Sequence, residues 1–456
     1  METPSQTPHK NPLFLSLCEE IRKNNYIDTE KYARYDVKRG LRNADGSGVM
    51  AGLTRVCNVH GYVLSEGEKS PIEGELTYRG VDVTQLVDGC VQDHRFGFEE
   101  VAWLLLFGKL PTGEQLDAFT RLLSEHRELP TYFAEDMIIK APSPNIMNKL
   151  ARSVLALYSY DHNPDDLSLE NVLRQSIELI ARLPVIMTYA YQVKRRHYDH
   201  ESMFFHPLLP GQTTAEGILR AIRADTRFTD EEARVLDVCL MLHAEHGGGN
   251  NSTFATRVLT SSGTDTYSAI AAAIGALKGP RHGGANIKVN EMLGYIKEGV
   301  RDWADEEEVR AFLVKLVNRE AGDRSGLIYG MGHAVYTLSD PRAQMLKKYA
   351  VDLAEKKGLG EEFRLLELVE KLTPGVFAAC KHSDKAMCAN VDLYSGLVYR
   401  SLGISEELFT PLFAVARVTG WCAHRIEELV SGGRIIRPAY KAIIPRQPYI
   451  PLQERV

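Results

Sequence analysis

Two histidines in separate glycine-rich loops and one aspartate are the residues of this chain best suited to acid–base chemistry. His282 lies in the run GPRHGGAN, His333 in GMGHAVYTLSDPR and Asp392 in NVDLYSG. An imidazole can donate a hydrogen bond to a carbonyl or enolate oxygen, and a carboxylate can remove a proton from carbon. Together they predict a site that deprotonates carbon while it polarises a carbonyl.

Each of these residues also has an ordinary structural interpretation, which is favoured when the residue is taken alone. His282 would cap backbone groups in its loop, and Asp392 would be a helix N-cap. The catalytic interpretation requires a neutral His282, which the start of a helix near Asn286 would favour. It also requires a partly desolvated Asp392. The Gly-Met-Gly before His333 would suit a phosphate loop only after a strand, and none is predicted there.

Three arginines are candidates for binding an anionic substrate. Arg417 lies inside the apolar run LFAVARVTGW, where a buried guanidinium needs a partner, and its planar fork fits a carboxylate. An intrachain salt bridge is the equal alternative. Arg342 and Arg437 would complete a clamp for a dicarboxylate, or would lie on the surface.

The segment HAEHGGGNN invites a metal-site interpretation, with His243 and His246 spaced as H-x-x-H. The spacing differs from the H-E-x-x-H of zinc proteases, and no cysteine or further histidine lies close in sequence. No metal is therefore predicted, and a histidine-based metalloenzyme is only a minor alternative.

The composition limits the class of protein. The chain has 456 residues and a net charge of −6, which argues against a general binder of nucleic acid or anionic membranes. Seven cysteines without a C-x-x-C pair fit buried thiols in a reducing compartment. No apolar stretch reaches the length of a membrane span, and no signal or transit pattern opens the sequence, so we expect a cytoplasmic protein.

Apolar periodicity predicts an all-α fold. The pattern indicates helices over 98–106, ending near Gly108, and over 267–278, and a capping box formed by Thr229 and Glu232. The only strand signal is a short hairpin within 61–80.

In order and wording, these segments resemble citrate synthase. The resemblance covers most of the chain from about Gly61 onward. It rests on GELTYRG, FEEVAWLLLFGKLP, HAEHGGGNNS, GPRHGGAN, GMGHAVYTLSDPR, NVDLYSG, AVARVTGW and RIIRP.

The resemblance implies that Asp392 takes a methyl proton from acetyl-CoA. His282 would stabilise the enol or enolate, and His333 would polarise the oxaloacetate carbonyl. Citryl-CoA is then hydrolysed to citrate and CoA, with no cofactor beyond the thioester substrate. The implied binding residues are His246, Arg342 and Arg417 for oxaloacetate, Arg437 for the site of the other subunit, and Tyr329, Gly330, Met331 and Gly332 for CoA.

The resemblance also implies a two-domain homodimer that closes over oxaloacetate. The expected division is an N-terminal extension (1–60), a large domain (61–294 and 406–456) and a small inserted domain (295–405). Met331, Thr337, Ala439 and Gly247 depart from the family pattern, so the CoA contacts and the acyl preference stay open. The alternatives are 2-methylcitrate synthase, which uses propionyl-CoA, and a non-catalytic sensor of CoA or dicarboxylates.

Overall fold

The computed structural model describes residues 12–43, 46–65, 68–382 and 386–455. The chain divides into two compact units, 1–53 and 54–456. The first contains α1 (Pro12–Asn25), α2 (Glu30–Arg34) and a short 3₁₀ turn. The predicted domain boundaries within 61–456 stay predictions.

The second unit is built mainly from helices, which confirms the predicted all-α fold. Those helices are α3 (Val83–Gln92), α4 (Phe98–Phe107), α5 (Gly113–Glu125), α6 (Ile146–Leu157), α7 (Leu169–Tyr198), α8 (Thr214–Ile222), α9 (Asp230–His243), α10 (Asn251–Ser261), α11 (Thr266–Lys278), α12 (Ala285–Gly299), α13 (Glu306–Val317), α14 (Pro341–Lys356), α15 (Gly360–Lys381), α16 (Val391–Ser401) and α17 (Phe409–Val430). A single π-helical turn spans Ala134–Ile139. Within the described ranges, every helix is too short or too polar to span a lipid bilayer.

The predicted hairpin is confirmed as part of a small antiparallel sheet. Strand β1 (Cys57–Ser65) pairs with β2 (Glu68–Tyr78), which pairs in turn with the two-residue β3 (Val81–Asp82). The register shifts between His60 and Tyr62, which marks a bulge that bends the ribbon.

The predicted helix ends are also confirmed. Helix α4 stops at Gly108, which takes the left-handed conformation (φ 80°) that glycine adopts without steric cost. Thr229 and Glu232 form the predicted capping box of α9. Helix α11 ends where Gly279 leaves the helical conformation.

Helix α17 runs through the core and packs against α4, α7, α9, α10 and α11. Its residues from Phe409 to Arg425 are buried except for the partly buried Phe413, as expected for a helix that is apolar on almost every side. Arg417 and Arg425 are therefore buried charges. The groups to which each guanidinium donates hydrogen bonds indicate whether it has a structural or a ligand-binding role.

Candidate active site

His282 lies in the tight turn between α11 and α12. The backbone N–H of His282 donates to the Gly279 carbonyl at 2.9 Å, and that of Gly283 donates to the Leu277 carbonyl at 3.0 Å. A Cβ atom at position 283 would lie 2.2 Å from that Leu277 oxygen, so only glycine fits. Helix α12 begins at Ala285, close to the predicted start.

The protonation of the His282 ring is set by a neighbour on α10. The backbone N–H of Ser252 donates to His282 Nε2 at 3.3 Å, and Ser252 Oγ lies 3.1 Å from the same nitrogen. Because a backbone N–H can only donate, Nε2 accepts and the proton of the neutral ring is on Nδ1. Burial, with the nearby Arg417 charge, lowers the pKa of His282 to about 4, so the ring is neutral at pH 7.

The ring of His333 is fixed in the opposite way. The backbone N–H groups of Val335 and Tyr336 both donate to His333 Nδ1 at 3.1 Å. The proton of the neutral ring is therefore on Nε2. The ring stacks on Tyr336 and meets His246 edge-on, with centroids 4.7 and 5.0 Å away.

The β-hairpin supports the loop that carries His333. The Gly74 N–H donates to Ser339 Oγ at 3.0 Å. A Cβ at Gly74 would lie 2.2 Å from the Ser339 carbonyl oxygen, and one at Gly61 would lie 2.9 Å from that of Val335. These close approaches show that the hairpin packs directly against the loop that carries His333. The strands that the sequence indicated only weakly therefore help to position a candidate catalytic residue.

Asp392 is the second residue of α16, and its interpretation as the N-cap is wrong. The cap is Asn390, whose Oδ1 accepts the Asp392 N–H at 3.0 Å. Asn390 also donates from Nδ2 to the Gly332 carbonyl at 2.9 Å and from its backbone N–H to the Gly330 carbonyl at 2.9 Å. The Asp392 carboxylate is therefore not used as the helix cap. The bonds of Asn390 connect the start of α16 to the loop that carries His333.

The environment of Asp392 makes it a base that titrates near neutrality. The residue is partly exposed, yet its carboxyl group lies among protein atoms, and burial raises its pKa to about 6. Asp340 raises the pKa further, while the Arg342 and Arg417 charges offset part of the rise. The desolvation that a catalytic carboxylate requires is therefore present.

Arg342 is held at the start of α14 by the residue that caps this helix. Its Nε and Nη2 donate to Oδ1 and Oδ2 of Asp340 at 3.0 and 2.7 Å. Burial alone would lower the pKa of Arg342, but the Asp340 carboxylate raises it above its usual value. Arg342 is only 3% exposed, so the surface alternative is wrong.

Arg417 forms no direct ion pair within 4.0 Å among the described residues, and the buried Glu245 carboxylate acts on it only at longer range, where it raises the pKa of Arg417. Its Nε donates to the His243 carbonyl at 2.7 Å, and its Nη2 is buried without a hydrogen-bond partner in the described part of the chain. Burial lowers the pKa of Arg417. A buried cation with an open donor is costly unless a ligand completes it.

His246 is buried beside the same arginines. Its Nε2 has no hydrogen-bond partner among the described residues, and burial, with the Arg342 charge, lowers its pKa well below the usual value. His243 instead packs its ring on Phe413 at 4.2 Å. Over the described ranges, no cluster of three or more His, Cys, Asp or Glu side chains is arranged to hold a metal ion.

The structure thus brings six sequence-predicted residues into one electrostatic environment. Arg342 and Arg417 both act on the pKa of Asp392 and of His246, Arg417 acts on that of His282, and His333 acts on that of His246.

Arg437 does not belong to this group of six residues. It is exposed, in an irregular segment beyond α17, next to Ile436, whose N–H donates to Ser261 Oγ at 3.0 Å.

The four residues predicted to contact CoA lie in or directly before the loop that carries His333. Tyr329 donates its hydroxyl proton to Asp323 Oδ2 at 2.6 Å. Met331 forms an isolated antiparallel bridge with Ala389, and the Gly332 N–H donates to the Cys388 carbonyl at 2.8 Å. The backbone of this segment therefore joins the His333 loop to the start of α16.

Sequence reasoning missed Ser252, Asn390 and Trp421 as parts of the site. Trp421 Nε1 donates to Ser252 Oγ at 3.2 Å, which fixes the serine that contacts His282. The available signals were the Ser that ends HAEHGGGNNS, the Asn that opens NVDLYSG and the Trp that ends AVARVTGW. Their contacts with residues far along the chain have no sequence pattern.

Comparison with known proteins assigns the chain to a family. A family model described as citrate synthase, C-terminal domain, matches residues 45–439. The chain belongs to the citrate synthase family.

Relatives of this chain include citrate synthases and a 2-methylcitrate synthase. The citrate synthase of Synechocystis is 35% identical over 441 residues, which cover 95% of this chain and 96% of that relative. The 2-methylcitrate synthase of Shewanella oneidensis is 32% identical over 384 residues, which cover 83% and 92%.

A solved member of the citrate synthase family shares the fold. It is the ternary complex of the Thermoplasma acidophilum citrate synthase with carboxymethyl coenzyme A and oxaloacetate. The match has a TM-score of 0.73 at 26% identity and covers 92% of this chain and 99% of that one.

Proposed function

We propose that this chain is a citrate synthase, an acyltransferase that condenses acetyl-CoA with oxaloacetate and water to give citrate and CoA. The observation that carries the proposal is the pair of oppositely fixed imidazoles beside a buried carboxylate. Two oriented imidazole donors and one base are the groups that an enolisation followed by an aldol addition needs.

In the first step, the Asp392 carboxylate removes a proton from the acetyl methyl group. His282 donates a hydrogen bond from Nδ1 to the thioester oxygen as negative charge develops there. The low pKa of His282, about 4, keeps the ring neutral. Oriented donors of this kind stabilise a transition state by about 3–4 kcal/mol each.

In the second step, the enol carbon attacks the oxaloacetate carbonyl, which His333 polarises through Nε2–H. Arg342 and Arg417 bind the two carboxylates of oxaloacetate, and His246 adds a further donor. The open Nη2 of Arg417 and the open Nε2 of His246 support this assignment, because a ligand carboxylate would complete both. Water then hydrolyses citryl-CoA.

Four further parts of the proposal concern assembly, domain closure, CoA binding and location. The chain forms a homodimer in which the exposed Arg437 reaches the oxaloacetate site of the partner. The small domain (295–405) closes over oxaloacetate, and CoA binds along 329–332. All seven cysteines are free thiols, which supports a cytoplasmic location.

A second candidate function is 2-methylcitrate synthase, favoured by the Shewanella relative of that name. The two reactions use the same chemistry and differ by one methylene of the acyl chain. In an apolar pocket, one methylene changes the difference in binding free energy between two substrates by about 1–3 kcal/mol. A few side chains therefore set the preference between acetyl-CoA and propionyl-CoA.

The test is release of free CoA thiol by the purified protein, with acetyl-CoA and propionyl-CoA in parallel and with and without oxaloacetate. We expect release that requires oxaloacetate and is faster with acetyl-CoA. Faster release with propionyl-CoA assigns the chain to 2-methylcitrate synthesis. No release with either thioester contradicts both and favours the non-catalytic sensor. Activity that a chelator abolishes would favour the metalloenzyme alternative.

A further inference from the structure

A small cavity between α7 and α8, outside the candidate active site, is lined mainly by apolar residues, and two arginines and a histidine complete its wall. Arg127, His206 and Arg220 contribute to its wall. The cavity measures about 30 Å³. One water requires about 10–15 Å³ of such space, so the cavity has room for two or three waters or for one small oxyanion.

Arg127 is the main reason to assign a ligand here. The residue is 6% exposed, and its Nη2 is buried without a hydrogen-bond partner among the described residues. Within that part of the chain, no carboxylate lies within 4.0 Å of its guanidinium. Burial lowers the pKa of Arg127. A buried charge without a hydrogen-bonded partner costs several kcal/mol, which an anion in the cavity would offset.

Arg220 adds a second open donor. It lies in the last turn of α8, and its Nε is buried with no partner in the described ranges. His206 borders the same space and is held in place by its Nε2–H, which donates to the Arg223 carbonyl at 2.9 Å. The cavity is therefore bordered by two guanidinium groups, each with one buried nitrogen that lacks a hydrogen-bond partner among the described residues. Guanidinium groups are well suited to binding oxyanions.

The carboxylates nearest to Arg127 are already used at the start of α8. Glu99 accepts the Thr214 N–H at 2.8 Å, and Glu216 accepts the N–H and the hydroxyl of Thr213 at 2.8 and 2.9 Å. Both charges act on Arg127 at longer range and raise its pKa. They reduce the local positive potential, but they leave the guanidinium donors open.

We propose that the cavity lined by Arg127, His206 and Arg220 is a binding site for a small free oxyanion, with inorganic phosphate as the representative ligand. The two guanidinium groups donate to its oxygens, and the segment 206–212 covers it. The site is separate from the residues assigned to catalysis, so the inference does not depend on the proposed function.

The experiment measures phosphate binding by isothermal titration calorimetry in chloride buffer of matched ionic strength. It compares the unmodified protein with Arg127→Gln, Arg220→Gln and the control Arg121→Gln, which changes an exposed arginine on α5. We expect the phosphate Kd to rise about ten-fold or more in Arg127→Gln and Arg220→Gln, and to be unchanged in the control. Because Arg220 is only partly buried, Arg220→Gln tests the site even if Arg127→Gln fails to fold.

Two further arms separate this site from other sources of anion binding. Arg417→Gln should leave phosphate binding intact; loss of binding there, with Arg220→Gln unaffected, would place the anion in the active site and overturn the proposal. Glycerol 3-phosphate should bind much more weakly than free phosphate, because the cavity is small. Equal phosphate affinity in all variants, or no binding to the unmodified protein, would also overturn it.

Discussion

The backbone N–H of Ser252 donates to Nε2 of His282, although the two residues lie 30 positions apart in the chain. The contact fixes the ring proton on Nδ1, whereas the backbone of Val335 and Tyr336 fixes the His333 proton on Nε2. The backbone thus chooses a different tautomer for each histidine before any substrate binds. This preorganisation is what a site that stabilises developing negative charge on oxygen requires.

Replacing Ser252 with alanine should lower kcat. The change keeps the backbone donor but removes the Oγ that Trp421 holds and that lies 3.1 Å from His282 Nε2. Loss of one hydrogen bond of this kind corresponds to a decrease of about 2-fold to 12-fold. The measurement is kcat and KM for oxaloacetate, with Ser262→Ala as the exposed control. A change confined to KM would argue against a positioning role for Ser252.

Asp392→Asn should nearly abolish turnover, because the amide cannot accept the methyl proton. Loss of a positioned general base costs about 10²-fold to 10⁴-fold. Steady-state release of CoA thiol measures the effect, and Asp352→Asn, an exposed position on α14, is the matched control. Oxaloacetate should still bind to the variant. Near-normal turnover would refute the assignment of Asp392 as the base.

The pH dependence of kcat/KM should report the titration of Asp392. Its raised pKa of about 6 means that the carboxylate, the active form, predominates above pH 6 and is lost as the pH falls. At pH 5 about a tenth of the groups are ionised, so activity should fall about ten-fold per pH unit below 6. His282, with a pKa of about 4, stays neutral over this range. A profile that is flat from pH 7 to pH 5 would contradict the raised pKa.

Arg417→Gln should weaken the binding of oxaloacetate by about ten-fold to a hundred-fold, since it removes charged hydrogen bonds to a carboxylate. Calorimetric titration with oxaloacetate gives the Kd, and circular dichroism verifies folding. Arg301→Gln, at an exposed position, should behave like the unmodified protein. An unchanged Kd in a folded Arg417→Gln variant would exclude Arg417 from the binding site.

Gly330→Ala and Gly332→Ala form a matched pair. Both glycines take positive φ (81° and 88°), but only at Gly330 would a Cβ collide, 2.9 Å from Leu393 Cα; at Gly332 it would meet nothing within 4 Å. Gly330→Ala should therefore destabilise the fold by about 1–3 kcal/mol more than Gly332→Ala, and should lower activity by moving α16. Urea denaturation measures the difference. Equal stability of the two variants would show that the contact with α16 is loose.

The sequence determined the all-α fold, the hairpin and most of the helix ends, because local periodicity, capping residues and glycine act over a few positions. It also identified six residues that the structure brings into one environment, since each of them stands in a distinctive motif. From the sequence alone, the role of helix N-cap was favoured over that of catalytic base for Asp392. For Arg417, an intrachain salt bridge and the binding of a ligand were equally favoured. The capping role belongs to Asn390, two positions away.

Only the tertiary structure decided those alternatives. Burial of Asp392, the absence of a direct ion pair to Arg417 among the described residues, and the choice of ring tautomer by Ser252 depend on contacts between segments far apart in the chain. Such contacts form when helices pack, and packing is set by the shape of the whole core rather than by local pattern. The residue types were present in the sequence, but their protonation states and open donors arise only from the fold.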